Sequence, residues 1–495
     1  MAIIAGIDVG TQSAKVLLYD TASRHIVASS QAPIQLIAKE DGTREQKASW
    51  WTDAIITCFN QIAPSLKNAI EAIGVSGQQH GFVPIDEHGH VLYNVKLWND
   101  VSTATECDEI THCAGGVENL INTEGNAILP GYTASKILWF KKHHPQLYQK
   151  MAFVMLPHDY INYWLTGTVV MEYGDASGTG LLDIRSRKWS KRLCHCIDDS
   201  DKLLQALPPL IEPYEAAGYV QKEIAELLNI PSGVVVSSGG GDNMMGAVGT
   251  GTVKDGTLTM SLGTSGTLFG ASDKPIIDPQ GYLAAFCSST GSWLPLLCTM
   301  NCTVASEQTR ALWNQDVKQF DATAALAPIG CEGVVMLPYF NGERTPNYPK
   351  GKGCLMGFDM NNTTQQNINR AALESAIFGM KLGLDAFIAL GYEARQIRLI
   401  GGGAKSKLWR QMVADICNLP VVVPSIKEAA AFGAILQALW TLEHAQGVTI
   451  EQIVAEHVVL DSESACEPID SHVSQYKEAY ARYQEYVEAV KPLFR

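Results

Sequence analysis

The sequence has no apolar run long enough to cross a bilayer, and its twelve cysteines follow no repeated spacing. A membrane-spanning helix would need about 18 or more consecutive apolar residues. No two cysteine pairs stand at the spacing of a structural zinc site, and the first residues lack the basic and apolar regions of a signal peptide. We therefore expect reduced thiols, a soluble chain with no membrane partner, and a cytoplasmic location.

Basic residues are also few, since 37 lysines and arginines face 51 acidic residues and give a net charge of −14. Such a chain is not expected to bind nucleic acid, because nucleic-acid affinity comes mainly from cations that neutralise phosphates. It could still bind an anion locally, through glycine amides and a metal ion.

Two common catalytic motifs are missing. The sequence has no Gly-x-x-x-x-Gly-Lys-Ser/Thr, which excludes a P-loop enzyme, and no Gly-x-Ser-x-Gly, so an esterase is not supported. Nucleotide or acyl chemistry would have to use other residues.

The length and apolar pattern predict two domains of an α/β fold. The chain has 495 residues, 46% of them hydrophobic, which is long for one domain. Strands are predicted over 3–8, 15–19, 27–34 and 73–76, with a helix over 50–65. Strands that alternate with helices indicate an α/β sheet.

An internal repeat supports this division. Residues 258–269 repeat the order of residues 4–18: a strand, a Gly-Thr turn and a second strand, with Ser261 in the place of Asp8. One Gly-Thr hairpin could be an ordinary turn, but two copies, one heading each half, indicate duplication. We expect the halves to be 1–248 and 249–495, with the two hairpins gripping a nucleotide's phosphates.

Two isolated carboxylates follow predicted strands beside glycines. Asp242 comes after Gly239-Gly240-Gly241, in what we expect to be a loop, and Asp8 precedes Gly10. In α/β folds, sites lie where strands end. The pair suits divalent-metal phosphoryl transfer, in which one carboxylate holds the metal and the other accepts a proton. Either aspartate taken alone could simply form a turn.

Several segments resemble the FGGY family of carbohydrate kinases along nearly the whole chain. Asp8 to Lys15 resembles the first phosphate hairpin of that family, Gly131 to Trp139 its first signature, Gly353 to Glu374 its second, and Gly401 to Ser406 its adenosine loop. The resemblance implies two duplicated actin- and hexokinase-like (ribonuclease H-like) ATPase domains with a cleft between them.

Within the family, further segments resemble those of the kinases that act on D-xylulose: 77–81, 97–100, 159–160, 175–179, 261–266 and 342–346. Gln79 departs from their usual Met, and Val101-Ser102 replaces the usual Gly-Arg. The implied reaction is ATP-dependent phosphorylation of D-xylulose to D-xylulose 5-phosphate, with Mg²⁺; the assembly could be a homodimer.

The resemblance also implies roles for particular residues. Asp242 would be the general base, and Asp8 would organise Mg²⁺ with Asp242 beside it. The sugar would be read by Gln79, His80, Trp98 and Asn99. ATP would be bound by the following residues: Gly10, Thr11, Gln12, Lys15, Gly263, Thr264, Gly402, Gly403 and Lys405.

Alternatives remain at this point. Trp98 could be a core residue and Lys405 a solvated loop lysine. The Gln79 departure leaves open a kinase for another ketose or polyol, such as ribulose or a sugar alcohol. A non-catalytic, actin-like nucleotide switch is a further alternative, although such a switch needs no base such as Asp242.

Overall fold

A computed structural model describes residues 2–494, which form strands and helices along the whole range. The strands are β1 Ile3–Val9, β2 Ser13–Asp20, β3 His25–Pro33, β4 Ile37–Ala38, β5 Arg44–Gln46, β6 Ile70–Gly77, β7 Val83–Asp86, β8 Val95–Lys96, β9 Met151–Met155, β10 Met171–Glu172, β11 Leu182–Asp183, β12 Lys188–Trp189, β13 Leu210–Ile211, β14 Ala216–Tyr219, β15 Val235–Ser237, β16 Gly240–Gly241, β17 Thr257–Leu262, β18 Gly266–Gly270, β19 Leu296–Thr299, β20 Val335–Pro338, β21 Gly353–Met356, β22 Gln396–Ile400, β23 Val421–Pro424 and β24 Leu460–Cys466.

The α-helices are α1 Ala48–Asn60, α2 Pro64–Lys67, α3 Ala104–Cys113, α4 Val117–Glu124, α5 Thr133–His143, α6 Pro145–Lys150, α7 Pro157–Thr166, α8 Tyr173–Ala176, α9 Lys191–Ile197, α10 Lys202–Ala206, α11 Lys222–Leu228, α12 Asp242–Thr250, α13 Thr303–Leu312, α14 Val317–Ala324, α15 Gln365–Ala389, α16 Lys407–Cys417, α17 Ala429–Glu443, α18 Ile450–His457 and α19 Asp470–Val490. Between residues 2 and 494, no helix is both long and apolar enough to cross a membrane.

Two large sheets repeat one plan. In the first, with order β14-β15-β6-β1-β2-β3, strand β1 pairs antiparallel with β2 and parallel with β6. In the second, with order β19-β18-β17-β22-β23-β24, strand β17 pairs antiparallel with β18 and parallel with β22. The repeat predicted from the two Gly-Thr hairpins is therefore a repeat of sheet topology.

The equivalence of Asp8 and Ser261 follows from strand register. Asp8 is paired with Lys15 on β2 and Ser76 on β6. Ser261 is paired with Thr267 on β18 and Ile400 on β22. Each residue lies one position before its strand ends, so both side chains stand at the rim from which the hairpins project.

A pair of helices lies against the first sheet at very short range. Helix α17, from the second half of the chain, packs on β1 and β6 and on α12. A Cβ on Gly74 of β6 would lie 1.9 Å from the Ala434 carbonyl oxygen, and one on Gly433 would lie 1.8 Å from that of Met245. Only glycine allows this approach.

The predicted division after residue 248 falls inside helix α12. Helix α12 runs across that boundary, and α17, which belongs to the second half, packs on β1 and β6 of the first sheet. The two halves therefore share a layer of two helices, and the division at 248 and 249 stays a prediction.

One expectation about cysteines is wrong. Cys113, at the end of α3, forms a disulfide with Cys196 in α9, with their Cα atoms 5.7 Å apart. The two residues are 83 positions apart, so their spacing gave no sign of the pairing. The other ten cysteines are free thiols, and most are buried.

Candidate active site

Asp242 stands where the first sheet meets helix α12. Strand β16 pairs with β6, placing Gly240 opposite Ser76 and Gly241 opposite Gly77. Gly239 has φ of +72°, and a Cβ there would lie 2.8 Å from the Val75 carbonyl oxygen. The glycines thus form the tight turn that places Asp242 directly after β16. The aspartate lies at the first residue of α12 and not in the loop expected from the sequence.

The environment of Asp242 favours its protonated form more than water does. Burial in the cleft raises the pKa of its carboxyl to about 7, and the carboxylates of Asp8 and Asp175 contribute to the rise. The backbone N–H of Asn243 donates to Oδ1 at 2.8 Å and opposes it. A carboxyl with a pKa near neutrality is well matched to accepting a proton in catalysis.

Two cavities meet at Asp242. The larger, of about 420 Å³, brings together six of the predicted site residues: Gln79, His80, Trp98, Asp242, Gly263 and Thr264. The smaller, of about 230 Å³, is lined by Asp8, Asp242 and Gly401, among others. Asp242 is thus the predicted site residue common to both.

His80 is held in an unusual conformation against the large cavity. Its φ is +63°, a backbone angle that residues other than glycine rarely adopt. Its carbonyl oxygen accepts bonds from Lys136 Nζ at 2.7 Å and Thr133 Oγ1 at 3.2 Å. Burial, Lys136 and Arg344 hold the pKa of the imidazole well below its usual range, so the ring is neutral.

The His80 ring packs against Gly178 and two aromatic side chains. The Gly178 backbone forms a hydrogen bond with the imidazole, and a Cβ on Gly178 would lie 2.5 Å from Nδ1. The ring lies 4.9 Å from the Tyr132 ring and 5.8 Å from the Phe286 ring, centroid to centroid, which fixes its plane. These contacts orient the imidazole at the wall of the large cavity.

The side chains of Gln79 and Trp98 both form hydrogen bonds with neighbouring side chains. The side-chain oxygen of Gln79 accepts a bond from Asn243 Nδ2 at 2.8 Å. Trp98 Nε1 donates to Thr11 Oγ1 at 3.0 Å, which leaves the half-buried ring to line the cavity. Asn99 does not line either cavity, although its Oδ1 is buried without a partner in the described chain.

The first hairpin is bonded chiefly to the protein. Thr11 Oγ1 donates to Gln78 at 3.1 Å, and Gln46 donates to the Thr11 carbonyl at 2.7 Å. Lys15 is ion-paired with Glu428, which lines the small cavity. Gly10 closes the turn and Gln12 is exposed. None of the four predicted ATP-binding residues of this hairpin (Gly10, Thr11, Gln12 and Lys15) lines either of the two cavities.

The second hairpin keeps its side chains available. The carbonyls of Gly263 and Thr264 accept the backbone N–H groups of Thr303 at 2.9 Å and Cys302 at 3.0 Å. The Thr264 side chain is exposed, and Gly263, Thr264 and Ser265 all line the large cavity. Backbone held in this way is suited to receive phosphate oxygens without rearrangement.

The predicted adenosine loop divides into open and packed positions. Gly402 is exposed, whereas a Cβ on Gly403 would lie 2.7 Å from both Leu262 Cβ and the Trp409 ring, so Gly403 serves packing. Lys405 is exposed, which fits its alternative as a solvated lysine. Gly401, the first residue of the predicted loop, lines the small cavity, with φ of +89°.

The donor set around Asp8 fits a hydrated divalent cation. Ser76 Oγ donates to Asp8 Oδ1 at 2.8 Å, and burial raises the pKa of the Asp8 carboxyl. Within residues 2–494, no group of three or more His, Cys, Asp or Glu side chains is arranged to hold a metal. Mg²⁺ suits this arrangement, because it keeps several waters and uses one or two carboxylates with substrate phosphates.

Sequence reasoning gave no role to several residues around the site. Lys136, Tyr132 and Arg344 lie in segments quoted for their family resemblance, which was the available signal. Behind Asp242, His158 Nδ1 lies 2.7 Å from Asp175 Oδ2. Burial lowers the pKa of His158, but Asp159 and Asp175 outweigh it and hold that pKa well above its usual range.

Comparison with known proteins identifies the family. Residues 3–249 match the N-terminal domain of the FGGY family of carbohydrate kinases, and residues 258–442 match its C-terminal domain. This chain belongs to the FGGY family of carbohydrate kinases. The predicted duplicated fold is confirmed, and the enzyme class is confirmed as a carbohydrate kinase, so the nucleotide switch is excluded as its main role.

Individual relatives agree with this assignment. A protein named xylulose kinase from Haemophilus influenzae is 41% identical, over 97% of this chain and 98% of its own. A crystal structure described as a xyloylose kinase from Brucella ovis has a TM-score of 0.91 at 30% identity, covering 99% of this chain and 100% of its own. A gluconate kinase from Lactobacillus acidophilus shares the fold, with a TM-score of 0.92 at 23% identity, over 100% of this chain and 99% of its own.

Proposed function

We propose that this kinase transfers the γ-phosphoryl group of ATP to the terminal hydroxyl of D-xylulose, giving D-xylulose 5-phosphate. The observation that carries the proposal is the position of Asp242, which lines both cavities. The sugar would lie in the large cavity against His80, Gln79 and Trp98. The nucleotide would approach from the small cavity and the second hairpin. The names of the relatives support D-xylulose as the sugar.

Asp242 would act as the general base. Its carboxylate would accept the proton of the sugar hydroxyl as that oxygen attacks phosphorus, a contribution of roughly 10²–10⁴-fold in rate. The pKa of about 7 means that a substantial share of the carboxyl is ionised at neutral pH. Most of the remaining acceleration would come from positioning and charge stabilisation.

Asp8 would hold Mg²⁺ through the waters of the ion, with Asp242 beside it. Mg²⁺ bound beside these two carboxylates would neutralise part of the phosphate charge. The hydrogen bond from Ser76 fixes the Asp8 carboxylate, so this carboxylate is oriented before Mg²⁺ binds. ATP phosphates would contact the second hairpin at Gly263 and Thr264, and the adenosine would lie along Gly401 to Lys405.

The competing substrate class is another ketose or a polyol. Of the two departures from the xylulose-kinase pattern, Gln79 lines the large cavity and Val101-Ser102 does not. Val101 is 57% exposed, and Ser102 Oγ donates to Asp100 at 2.6 Å. Gln79 is therefore the departure that could change the choice of sugar.

A coupled assay of ADP release decides between these substrates. The purified chain is tested with MgATP and D-xylulose, D-ribulose, L-xylulose, D-arabitol, glycerol or D-gluconate, and without sugar as the control. D-xylulose should give the highest kcat/KM, and phosphorus NMR should locate the phosphate on C5. A tenfold higher kcat/KM for another compound would replace D-xylulose as the substrate.

A further inference from the structure

Arg344 is a cation in the large cavity for which the mechanism above has no use. It is the only lysine or arginine among the cavity's lining residues within residues 2–494. Arginine offers a planar fork of donors that matches phosphate oxygens. An arginine placed in a cleft that receives a nucleotide therefore needs an explanation.

No carboxylate of the described chain forms an ion pair with the Arg344 guanidinium. The neighbouring Glu343 accepts N–H bonds from Met300 at 2.6 Å and from the Arg344 backbone at 2.8 Å. Asp278, the other acidic side chain of the cavity besides Asp242, accepts the backbone N–H groups of Gln280, Tyr282 and Leu283. Neither carboxylate is placed to neutralise Arg344, so its charge is available to a ligand.

The backbone of Arg344 is fixed to the sheet that carries the second hairpin. Thr345 Oγ1 donates to the Cys298 carbonyl at 3.2 Å, and Asn301 Nδ2 donates to the Gly342 carbonyl at 2.7 Å. Cys298 is the strand partner of Thr267, which lies in the second strand of the hairpin. Arg344 and the hairpin therefore belong to one rigid unit.

The side chain of Arg344 extends from that unit toward the first half of the chain. Gly131 stands close to this guanidinium: a Cβ built on Gly131 would lie 3.8 Å from Arg344 Nη2 and 2.6 Å from the Trp98 carbonyl oxygen. Arg344 is close enough to His80 for its charge to help lower the pKa of that imidazole. The guanidinium thus reaches the residues predicted to read the sugar, inside the cavity that the second hairpin also lines.

We propose that Arg344 binds the phosphoryl group during its transfer and the phosphate of the sugar product. This inference rests on the proposed function. A pentulose carries no charge, whereas the phosphoryl group is anionic and must pass between the hairpin and the sugar hydroxyl. A cation fixed in the cavity that Asp242 and the hairpin both line would stabilise the transition state more than the neutral sugar.

The chemistry leaves the arginine unchanged. A bond forms between the sugar O5 and the γ-phosphorus, the bond from that phosphorus to the bridging oxygen of ADP breaks, and the hydroxyl proton passes to Asp242. Arg344 donates hydrogen bonds to the non-bridging phosphoryl oxygens throughout.

The test compares Arg344→Gln and Arg344→Lys with the exposed control Arg395→Gln. Loss of a charge-stabilising donor should lower kcat by about 10²–10³-fold in Arg344→Gln. The Kd of the sugar, measured without ATP, should change less than about threefold, because Arg344 meets the phosphoryl group and not the sugar. Arg344→Lys should recover part of kcat, and inhibition by D-xylulose 5-phosphate should weaken at least tenfold in Arg344→Gln.

Added guanidinium should restore activity to Arg344→Gln or to the smaller Arg344→Ala, which a purely structural role would not allow. Circular dichroism confirms folding, and if Arg344→Gln does not fold, Arg344→Lys and its product inhibition decide. An unchanged kcat, or a sugar Kd that rises as much as kcat/KM falls, overturns the inference. A wild-type chain without sugar kinase activity contradicts the proposed function instead.

Discussion

The two Gly-Thr hairpins have the same strand order but different bonding partners. In the first, Thr11 accepts a bond from the Trp98 indole and donates to Gln78. In the second, the Thr264 side chain is exposed and only its backbone is held, by the N–H of Cys302. The first hairpin also carries Asp8 where the second carries Ser261.

This difference shows how duplicated elements divide one task. The first hairpin is joined through Trp98 to the wall of the large cavity and carries the carboxylate suited to a cation. The second hairpin lines the cavity directly and is suited to phosphate oxygens. The two hairpins thus share one topology but differ in chemistry, and Asp242 lines the cavities beside both hairpins.

The largest effect should come from the residue that belongs to neither hairpin. Asp242→Asn keeps the size of the side chain but cannot accept the hydroxyl proton, so kcat should fall by roughly 10²–10⁴-fold. ATP binding, measured by calorimetry, should persist. Asp108→Asn, on the exposed face of α3, is the matched control. Retention of more than about a tenth of kcat would refute the base assignment, given that range.

A second change makes the first hairpin chemically like the second. Asp8→Ser removes the carboxylate that would hold the waters of Mg²⁺. Loss of such an outer partner typically costs about 10- to 100-fold in metal affinity. The Mg²⁺ concentration for half-maximal rate should rise by that factor, while Asp53→Ser, exposed on α1, should leave it unchanged. An unaltered Mg²⁺ dependence would remove Asp8 from the cation site.

The sequence predicted the fold and the centre of the site, because those depend on local patterns. The duplicated sheet follows from two strand-turn-strand segments, and the place of Asp242 follows from glycines at a strand end. A family resemblance then supplied Gln79, His80 and Trp98, which the structure places around one cavity. Their roles stay predictions.

What the sequence could not predict depends on contacts between distant segments. Lys136 and His80 are 56 residues apart, yet the lysine holds the His80 carbonyl. Trp98 and Thr11 are 87 residues apart, so the motif alone could not reveal that the Thr11 hydroxyl is already bonded. The disulfide and the unpaired charge of Arg344 were missed for the same reason.

A smaller effect separates the two threonines. Removing one hydrogen bond costs about 0.5–1.5 kcal/mol, or roughly 2- to 13-fold in affinity. Thr264→Val should raise KM for ATP by such a factor and leave the sugar unaffected. Thr11→Val should instead raise KM for the sugar, because it frees the Trp98 indole. If both variants change only KM for ATP, the hairpins are functionally equal and the distinction between them fails.

The two halves also differ in the lysines beside their sites, and this difference should appear in the pH dependence of stability. Burial lowers the pKa of Lys136 to about 7 in the folded chain, from an ordinary value of 10.5, whereas Lys405 is exposed. Above about pH 7 the unfolded chain binds a proton at Lys136 that the folded chain does not. Stability should therefore rise with pH from 7 toward 10.5, by up to about 1.4 kcal/mol per pH unit. Urea midpoints at pH 7, 8 and 9 test this: the stability of wild type relative to Lys136→Met should rise with pH, while Lys405→Met should follow wild type. Parallel curves for all three would mean that Lys136 is charged in the folded chain.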